Sequence, residues 1–222
     1  MSFTGVLSCL SLLLAAAVAQ APKPCVSPPQ MSGGLSVMVG DGVYMSTGTI
    51  KYDAVGQRMR VRNYGLSGNQ TFGVDQLMLF NQKVYYEIDW SKFSCKKKVL
   101  DTSFIPMHVP SDAKLMGQAF LGSSSSWGMG VLVNTWYGDL PHNGTYSTVF
   151  TEIGCIPMTH TSYTPESGWT TISTFNWILH KSNPRDFVPP FFCAKSQLEE
   201  TETPDTIFTA MKSLAMKTMR EE

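Results

Sequence analysis

Charged residues are scarce in this sequence, and their signs cancel. Lys and Arg number 17, Asp and Glu also number 17, and together they make up only 15% of the 222 residues. Proteins that bind nucleic acid use an excess of basic side chains to neutralise phosphates. This balance therefore excludes a basic nucleic-acid-binding surface of the usual kind.

Short catalytic motifs are also missing. The sequence has no GxSxG, HExxH, P-loop or CxxC pattern, which removes the commonest sequence signals of hydrolases, zinc proteases, nucleotide-binding enzymes and dithiol oxidoreductases. A catalytic triad joined only in space stays open as an alternative, with His108, His142, His160 and His180 as its histidines. Without a nucleophile motif, we expect that the protein is not an enzyme.

Long apolar runs are confined to the N-terminus. Residues 1–19 carry no charge and end in the small-x-small pattern Ala17-Val18-Ala19. A membrane anchor is the alternative, but the apolar run is shorter than the roughly 20 residues that span a bilayer. The pattern predicts a signal peptide over 1–19, a single domain over 20–222 and no transmembrane segment.

Cysteines are few and widely spaced. Cys9 lies in the predicted signal peptide, which leaves Cys25, Cys95, Cys155 and Cys193. An even number in a secreted chain predicts two disulfides, and four cysteines allow three connectivities. Their spacing argues against a zinc site.

The clearest secondary-structure signal is a hairpin. Apolar residues alternate through Val84, Tyr86, Ile88 and Trp90, and a second apolar run over 74–80 precedes the turn at 81–83. Alternation at period two is typical of a half-buried strand, so the two runs predict an antiparallel pair.

Similar segments recur along most of the chain. They include 35–39, 49–53, 58–62, 115–121, 127–135, 146–152 and 169–177. About nine to eleven short strands joined by turns, without strand–helix alternation, predict an all-β antiparallel sandwich or half-barrel. One strand carries Arg58, Arg60 and Arg62 on one face. This is typical of a solvated outer face, and its alternative is a site for anionic headgroups.

The C-terminal tail and two glycosylation sequons carry further sequence signals. An apolar stripe at helical spacing predicts a C-terminal helix over about 204–219, packed on the sheet or, alternatively, touching a membrane. Asn69 and Asn143 each begin an N-x-Thr sequence in a turn-like context. In a secreted chain these sequons predict N-glycosylation.

Several short motifs together resemble one known family, the ependymins and ependymin-related proteins. They are Pro24-Cys25, Tyr86-Glu87-Ile88-Asp89, Ser94-Cys95-Lys96-Lys97, Gly154-Cys155-Ile156-Pro157 and Phe187-Val188-Pro189-Pro190 followed by Cys193. The resemblance covers nearly all of the chain after the signal peptide. Some members carry a further disulfide, and the two cysteines that form it are absent here, so the sequence is closer to the four-cysteine pattern.

The resemblance implies a fold, a covalent pattern and partners. It implies two curved antiparallel sheets around a deep hydrophobic pocket, with Cys25 paired to Cys155 and Cys95 paired to Cys193. It further implies a secreted, N-glycosylated homodimer, delivered to lysosomes in some members. Lipid binding, calcium binding and cell–matrix contact are attributed to the family, but the sequence assigns no calcium ligands because it has no EF-hand loop.

Large apolar residues at inward strand positions are the candidates for lining such a pocket. They are Tyr52, Met59, Tyr86, Ile88, Trp90, Met129, Val131, Trp169, Phe175 and Trp177. Mixed aromatic and methionine linings suit variable apolar ligands, although for each residue alone an ordinary core position is the favoured interpretation. With these residues, the family resemblance implies a lipid- or amphiphile-binding protein. The alternative is an adhesion or signalling glycoprotein that acts through its surface.

Overall fold

A computed structural model describes residues 21–40, 44–67, 70–100, 103–140, 143–165 and 168–199. The predicted signal peptide, the sequon at Asn69 and the predicted helix over 204–219 lie outside these residues. No helix among the described residues is long and apolar enough to cross a membrane.

The described residues form an all-β fold, as the alternating sequence pattern predicts. In chain order the strands are β1 (Gln30–Val39), β2 (Tyr44–Asp53), β3 (Arg58–Ser67), β4 (Gln70–Leu79), β5 (Val84–Asp89), β6 (Ser94–Val99), β7 (Lys114–Gly122), β8 (Gly130–Leu140), β9 (Gly144–Thr151), β10 (Pro157–Thr164), β11 (Gly168–Leu179) and β12 (Leu198–Glu199). Short 3₁₀ turns occupy Phe80–Gln82, Pro184–Phe187 and Phe191–Lys195.

All twelve strands belong to one open sheet. Their order is β12-β6-β5-β4-β3-β2-β1-β11-β10-β9-β8-β7. Neighbours are antiparallel, apart from the short parallel pairing of β12 with β6. The two sheets that the family resemblance implies are here two halves of one continuous sheet, because β1 is hydrogen-bonded to β2 along one edge and to β11 along the other.

The central hairpin is confirmed. Strands β4 and β5 pair antiparallel, with Leu79 opposite Val84 at the turn end. Lys83 closes the turn with a left-handed backbone, at φ 52°. The burial pattern of β5 is not that of a half-buried strand. Tyr85 and Tyr86 lie on opposite faces of the sheet, and both are buried. Both faces of this part of the sheet are therefore covered.

We call these two surfaces the inner face and the outer face. The inner face carries Tyr52, Met59 and Ile172, and its core is completed by Leu100, Phe104 and Met107 from the segment after β6. The outer face carries Leu77, Leu79, Tyr86 and Ile88, which pack against Phe187, Phe192 and Cys193. Irregular segments from distant parts of the chain thus cover the two faces.

Both disulfides implied by the family resemblance are present. Cys25 is bonded to Cys155, and Cys95 to Cys193. The first bond ties the N-terminal segment to the turn between β9 and β10. The second ties β6 to the 3₁₀ turn that covers the outer face, where the Ser196 hydroxyl also donates to the Cys95 carbonyl at 2.7 Å.

Candidate ligand-binding cavity

A cavity of about 190 Å³ lies between the segment 105–110 and the inner face of the sheet. Its walls come mainly from that segment and from β9, β10 and β11. The lining residues are Met59, Ile105, Pro106, Met107, His108, Pro110, Leu140, Tyr146, Thr148, Phe150, Pro157, Thr159, His160, Ile172 and Thr174. Apolar side chains predominate among them.

The segment 105–110 is held in place by the N-terminal segment. The Val109 amide donates to the Cys25 carbonyl at 2.9 Å, and the Ser27 amide donates to the Met107 carbonyl at 2.9 Å. Val26 and His108 form an isolated antiparallel bridge between these two bonds. The N-terminal segment therefore serves as a short strand partner for the cavity wall.

Two further contacts fix this pair of segments to the sheet. The Ser27 hydroxyl donates to the carbonyl of Cys155 at 2.8 Å, beside the Cys25–Cys155 disulfide. On the other side, the Met107 amide donates to the Tyr52 hydroxyl at 3.0 Å. Burial raises the pKa of Tyr52, so the phenol remains protonated and neutral at physiological pH.

Two of the three threonine hydroxyls in the cavity wall are bonded to the protein itself. The Thr174 hydroxyl donates to the Pro157 carbonyl at 2.7 Å, and the Thr148 hydroxyl donates to the Thr159 carbonyl at 3.3 Å. A hydroxyl that is already bonded does not need a partner from the ligand. The wall is therefore less polar than its threonines suggest, which favours an apolar ligand.

His160 is the titratable group most affected by the cavity. Its ring stacks on Tyr146, with centroids 6.0 Å apart. Burial lowers the pKa of His160 from its usual 6.5 to about 4. The imidazole is therefore neutral at physiological pH, and the cavity presents no full positive charge at this position.

Few of the residues predicted to line a pocket do so. Met59 lines the cavity, whereas Tyr52 holds the wall segment through its hydroxyl. Trp177 is partly buried against the inner core, and its indole N–H donates to the Pro157 carbonyl at 2.9 Å. These three residues support the cavity from the inner face.

The other predicted residues lie elsewhere. Tyr86 and Ile88 are buried on the outer face, because β5 turns its odd-numbered side chains inward. Trp90 follows β5 and donates its indole N–H to Asp75 at 2.8 Å. Phe175 lies over Gly34, where an added Cβ would collide with the phenyl ring. None of these four is among the residues that line the cavity.

The remaining three are exposed at other places on the sheet. Met129 precedes β8, Val131 lies in its first residues, and both are solvent-exposed. Trp169 is exposed near the start of β11, where its ring contacts Tyr163 with centroids 5.2 Å apart. The alternating sequence pattern around these three residues predicted strands correctly. It did not show which face of each strand is buried.

The residues that the sequence did not single out come mostly from two places. One is the segment 105–110, whose prolines indicate only a loop. The other is the alternating set Tyr146, Thr148 and Phe150, whose common face was evident from the sequence. The signal that was missing is the register that places Thr148 opposite His160 and His160 opposite Ile172.

The arginine stripe lies on the outer face, where each of its guanidinium groups is paired with a carboxylate and Arg62 is half exposed. Arg60 is buried and forms a bidentate pair with Asp75, at 2.8 and 2.6 Å. Arg62 donates to the same carboxylate at 2.9 Å. Arg58 pairs with Asp53 at 2.8 Å and lies 4.5 Å from the Phe187 ring centroid. The Arg58–Phe187 contact, with the Arg60 guanidinium donating to the Asp186 carbonyl at 2.8 Å, holds the segment 184–188 against the sheet.

A second groove, of about 220 Å³, lies beside this cluster. Its lining includes Arg62, Asp75, Asp89 and Trp90. Asp75 accepts bonds from both Arg62 and Trp90, and Asp89 accepts from the Ser91 amide at 2.9 Å. Because its charged groups are already paired, this groove is a weaker candidate for a ligand.

The described carboxylates do not fit a calcium site. Within the described ranges, no three His, Cys, Asp or Glu residues lie close enough to hold a metal ion. Asp53 and Asp75 are bonded to arginines, and Glu87 accepts from Lys98 at 2.6 Å. Calcium ligation requires several carboxylate or carbonyl oxygens around one point, and these side chains are already committed.

Asn143 is the one predicted glycosylation site within the described residues. It is exposed at the turn between β8 and β9 and has a left-handed backbone, at φ 60°. Asparagine tolerates this conformation better than most residues. The side chain is accessible for a glycan.

Comparison with known proteins shows the family to which this chain belongs. The ependymin family model matches residues 68–193. Ependymin from Clupea harengus is 31% identical over 214 residues, covering 94% of this chain and 98% of its own length. Ependymin-2 from Oncorhynchus mykiss is 33% identical over 190 residues, covering 84% of this chain and 85% of its own. The chain belongs to the ependymin family.

A distant structural likeness supports the fold alone. The crystal structure of an uncharacterized conserved protein from Thermus thermophilus superposes with a TM-score of 0.52, at 9% sequence identity. The match covers 86% of this chain and 99% of the other. At this identity the likeness concerns the arrangement of strands and not the ligand.

Proposed function

We propose that this protein is a secreted glycoprotein that binds the acyl chain of a lipid or similar amphiphile in the cavity beneath segment 105–110. The observation that carries this proposal is the apolar lining of the cavity on the inner face. Its wall is fixed by a disulfide and by backbone hydrogen bonds, so the site exists before a ligand arrives. Preorganisation of this kind reduces the entropic cost of binding.

The chemistry of the wall selects against polar ligands. The hydroxyls of Thr148 and Thr174 are bonded to carbonyls, and His160 is neutral. A charged or strongly hydrated ligand would lose its water without gaining partners, and that loss is costly. An acyl chain has no such requirement.

The size of the cavity limits how much of the ligand it holds. Its volume of about 190 Å³ is below the roughly 300 to 1,000 Å³ that is usual for pockets enclosing whole small molecules. We therefore propose that the distal part of one chain enters the cavity, while the headgroup stays outside near Ile105. Headgroup selectivity is then expected to be weak.

A series of fatty acids of increasing length tests this proposal. Each buried methylene contributes about 0.8 kcal/mol, so affinity should rise about fourfold per added carbon and then level off when the cavity is full. Displacement of a fluorescent acyl probe measures this. Affinity that is independent of chain length would exclude the proposal and favour the alternative, a glycoprotein that acts on cells or matrix through its surface.

Two matched variants locate the site. Ile105 and Val55 are both exposed apolar residues, but only Ile105 lines the cavity. Ile105→Asp should weaken probe binding by roughly tenfold or more, because a carboxylate at the rim opposes entry of the chain. Val55→Asp should leave binding unchanged. Equal effects of both substitutions would place the binding site elsewhere.

The secretory part of the proposal has its own test. It rests on family membership, on the leader pattern over 1–19 and on the exposure of Asn143. The intact mass of the secreted protein should match a chain that begins near Gln20. This mass should fall after treatment with a glycosidase. Substitution Asn143→Gln should remove one glycan, and a mass unchanged by this substitution would count against glycosylation there.

A further inference from the structure

A serine and a histidine are hydrogen-bonded to each other away from the cavity. The Ser32 hydroxyl lies 2.8 Å from Nε2 of His180. On the other side of the ring, Nδ1 of His180 lies 2.9 Å from the carbonyl oxygen of Lys181. A hydroxyl and an imidazole at this separation are the two parts of an activated serine nucleophile. His180 is also one of the four histidines for which the sequence left a triad joined only in space as an alternative.

The Lys181 carbonyl determines which nitrogen of His180 carries the proton. A carbonyl oxygen only accepts hydrogen bonds, so Nδ1 is the donor in that contact. In the neutral imidazole Nε2 is then unprotonated, and it accepts the hydrogen bond that the Ser32 hydroxyl donates. In this tautomer a histidine can remove the proton of a serine. The carbonyl orients the ring as an aspartate does in a Ser-His-Asp triad.

The connection that follows β11 brings the two residues together. Ser32 of β1 lies opposite Lys51 of β2, which lies opposite Arg60 of β3. Opposite residues share a face of the sheet, so Ser32 is on the outer face with Arg60. The connection crosses this face to β3, where the carbonyl of Asp186 accepts a bond from Arg60 at 2.8 Å. His180 is at the start of this crossing and therefore reaches Ser32.

A bulge in β11 places two apolar side chains beside Ser32. Gly34 lies opposite Phe175 and Ser32 lies opposite Ile178, so β11 has one residue more than β1 between these pairs. In a regular strand Phe175 and Ile178 would point to opposite faces, and the extra residue puts both on the outer face. Asn176 in this bulge has a left-handed backbone, at φ 53°. Phe175 and Ile178 are exposed, so Ser32 has accessible apolar neighbours.

A lysine lies on the other side of Ser32. Lys51 is directly opposite Ser32 in the pairing of β1 with β2, which places their Cβ atoms about 5 Å apart. The Lys51 ammonium contacts the Asp186 carboxylate at 2.7 Å. An ammonium has three N–H donors, and this contact uses one of them. The others are available to a negative charge that develops beside Ser32.

We propose that Ser32 is a nucleophile, activated by His180, that accepts the acyl group of a carboxylic ester. The Ser32 oxygen attacks the ester carbonyl carbon, and the hydroxyl proton moves to Nε2 of His180. The displaced electron pair of the carbonyl stays on its oxygen, near the Lys51 ammonium. When the carbonyl forms again, the C–O bond to the alcohol breaks and the alcohol takes the proton from Nε2. Water then attacks the acyl group, Nε2 passes the water proton to the Ser32 oxygen, and a carboxylic acid leaves.

The surroundings of Ser32 favour an uncharged ester with an apolar group. Phe175 and Ile178 give that group a contact surface, and Ser32 is half-buried while His180 is exposed. The orienting group at Nδ1 is a neutral carbonyl, which stabilises the imidazolium less than the carboxylate of a triad does. We therefore expect turnover of activated esters with a good leaving group. The Ser32–His180 pair lies on the face opposite the cavity, so this activity does not depend on the proposed lipid binding.

Covalent labelling of the full protein with an alkyl fluorophosphonate tests the nucleophile. The Ser32 oxygen should displace fluoride from phosphorus, and peptide mapping should place the added mass on Ser32. Ser32→Ala should abolish labelling. Ser36→Ala, on the same face of the same strand, should label as the wild type does. A wild type that is not labelled, or equal labelling of Ser32→Ala, overturns the proposal.

Hydrolysis of p-nitrophenyl acetate separates a base from a purely structural contact. Above the background of Ser32→Ala, His180→Ala should release p-nitrophenol about 100-fold more slowly, because the general base is lost. Added imidazole should restore part of this rate. A bond that only holds the connection in place would change stability in urea but not the rate, and that outcome overturns the role of His180, as does a rate that imidazole leaves unrestored. Binding of the acyl probe by the same samples reports separately on the cavity.

Discussion

The two faces of the sheet are covered in the same way but with different results. On each face an irregular segment is held by one disulfide, directly at Cys193 on the outer face and through the N-terminal segment at Cys25 on the inner face. The outer cover, 184–195, packs phenyl rings onto the strands and accepts a hydrogen bond from Arg60 of β3. The inner cover, 105–110, buries Met107 and Val109 against the sheet, is bonded to Tyr52, and leaves a cavity beside these contacts.

The difference lies in what each cover places against the strands. Phe187 and Phe192 are large, and Arg60 sends its guanidinium to carbonyls of the covering segment, including that of Asp186 at 2.8 Å. The inner cover has two prolines and is held mainly by backbone bonds at its far side. A cover bonded through its backbone to another segment does not need to fill the space beneath it. The outer face is thus a stability element, and the inner face has room for a ligand.

Removal of each disulfide is the strongest test of this difference. The bonds span 130 and 98 residues, so the chain-entropy model gives about 5 kcal/mol of stabilisation for each. Replacing Cys25 and Cys155 by Ser, or Cys95 and Cys193 by Ser, should therefore lower the free energy of unfolding by similar amounts. Only the first pair should also abolish binding of the acyl probe. Urea titration and probe titration measure the two effects, and loss of binding in both variants would remove the distinction.

The buried ion pair on the outer face gives the next largest effect. Asp75→Ala leaves Arg60 buried without its carboxylate, which typically costs about 3 to 5 kcal/mol. Arg62→Ala is the control, because the Arg62 side chain is 52% exposed and such pairs contribute about 1 kcal/mol or less. Urea titration should separate the two variants. A small loss for Asp75→Ala would mean that solvent reaches Arg60.

Acid should affect the inner face through His160. The pKa of His160 is about 4 in the folded protein and about 6.5 in an unfolded chain. The unfolded state binds more protons between these values, so stability falls as the pH decreases from 6.5 towards 4, by about 3 kcal/mol in total.

The substitution His160→Gln isolates this contribution. It should flatten the dependence of stability on pH between 6.5 and 4. Asp53 and Asp89 also have lowered pKa values, Asp89 chiefly through the Ser91 hydroxyl. The stability that these two carboxylates contribute is lost in more acidic solution. This loss is common to the wild type and the His160→Gln variant. Parallel curves for wild type and variant from pH 6.5 to 4 would contradict the assignment.

The smallest expected effect concerns one hydrogen bond of the inner cover. Tyr52→Phe removes the acceptor of the Met107 amide, which should cost about 1 to 2 kcal/mol of stability and weaken probe binding. Tyr86→Phe on the outer face is the matched change and should leave probe binding as it is. Unfolding and probe titrations compare them. Equal probe affinities in both variants would show that Tyr52 does not position the cavity wall.

The sequence predicted the strands well because their signal is local. Alternation over 84–90 and 146–152 depends only on neighbouring residues, and the structure places most of both segments in strands. Which face is covered is a non-local property. The outer face of β5 is buried because the segment 184–195 packs on it from a distant part of the sequence, and nothing near Tyr86 indicates this. For that reason the sequence did not indicate that Tyr86 and Ile88 lie on the outer face, away from the cavity.

The cavity was the least predictable part. Its wall segment has prolines and no periodicity, so the sequence indicates only a loop. Its position depends on the pairing of Val26 with His108 and on a disulfide to Cys155. The family resemblance implied that disulfide, but the bridge between the segments depends on register. Met59 was predicted to line a pocket and does line the cavity, because it lies on a regular strand whose inward face the alternation defines.

The position of β1 has a consequence for how the chain folds. The first strand of the sequence lies between β2 and β11, and its residue Met31 is opposite both Tyr52 and Leu179. During synthesis β1 can pair at once with β2, but its other edge stays open until nearly the whole domain has left the ribosome. Pairings between such distant residues close slowly, and an open edge is prone to aggregation while it waits. We therefore expect slow formation of the β1–β11 seam to limit the folding rate and to be the step that most depends on chaperones.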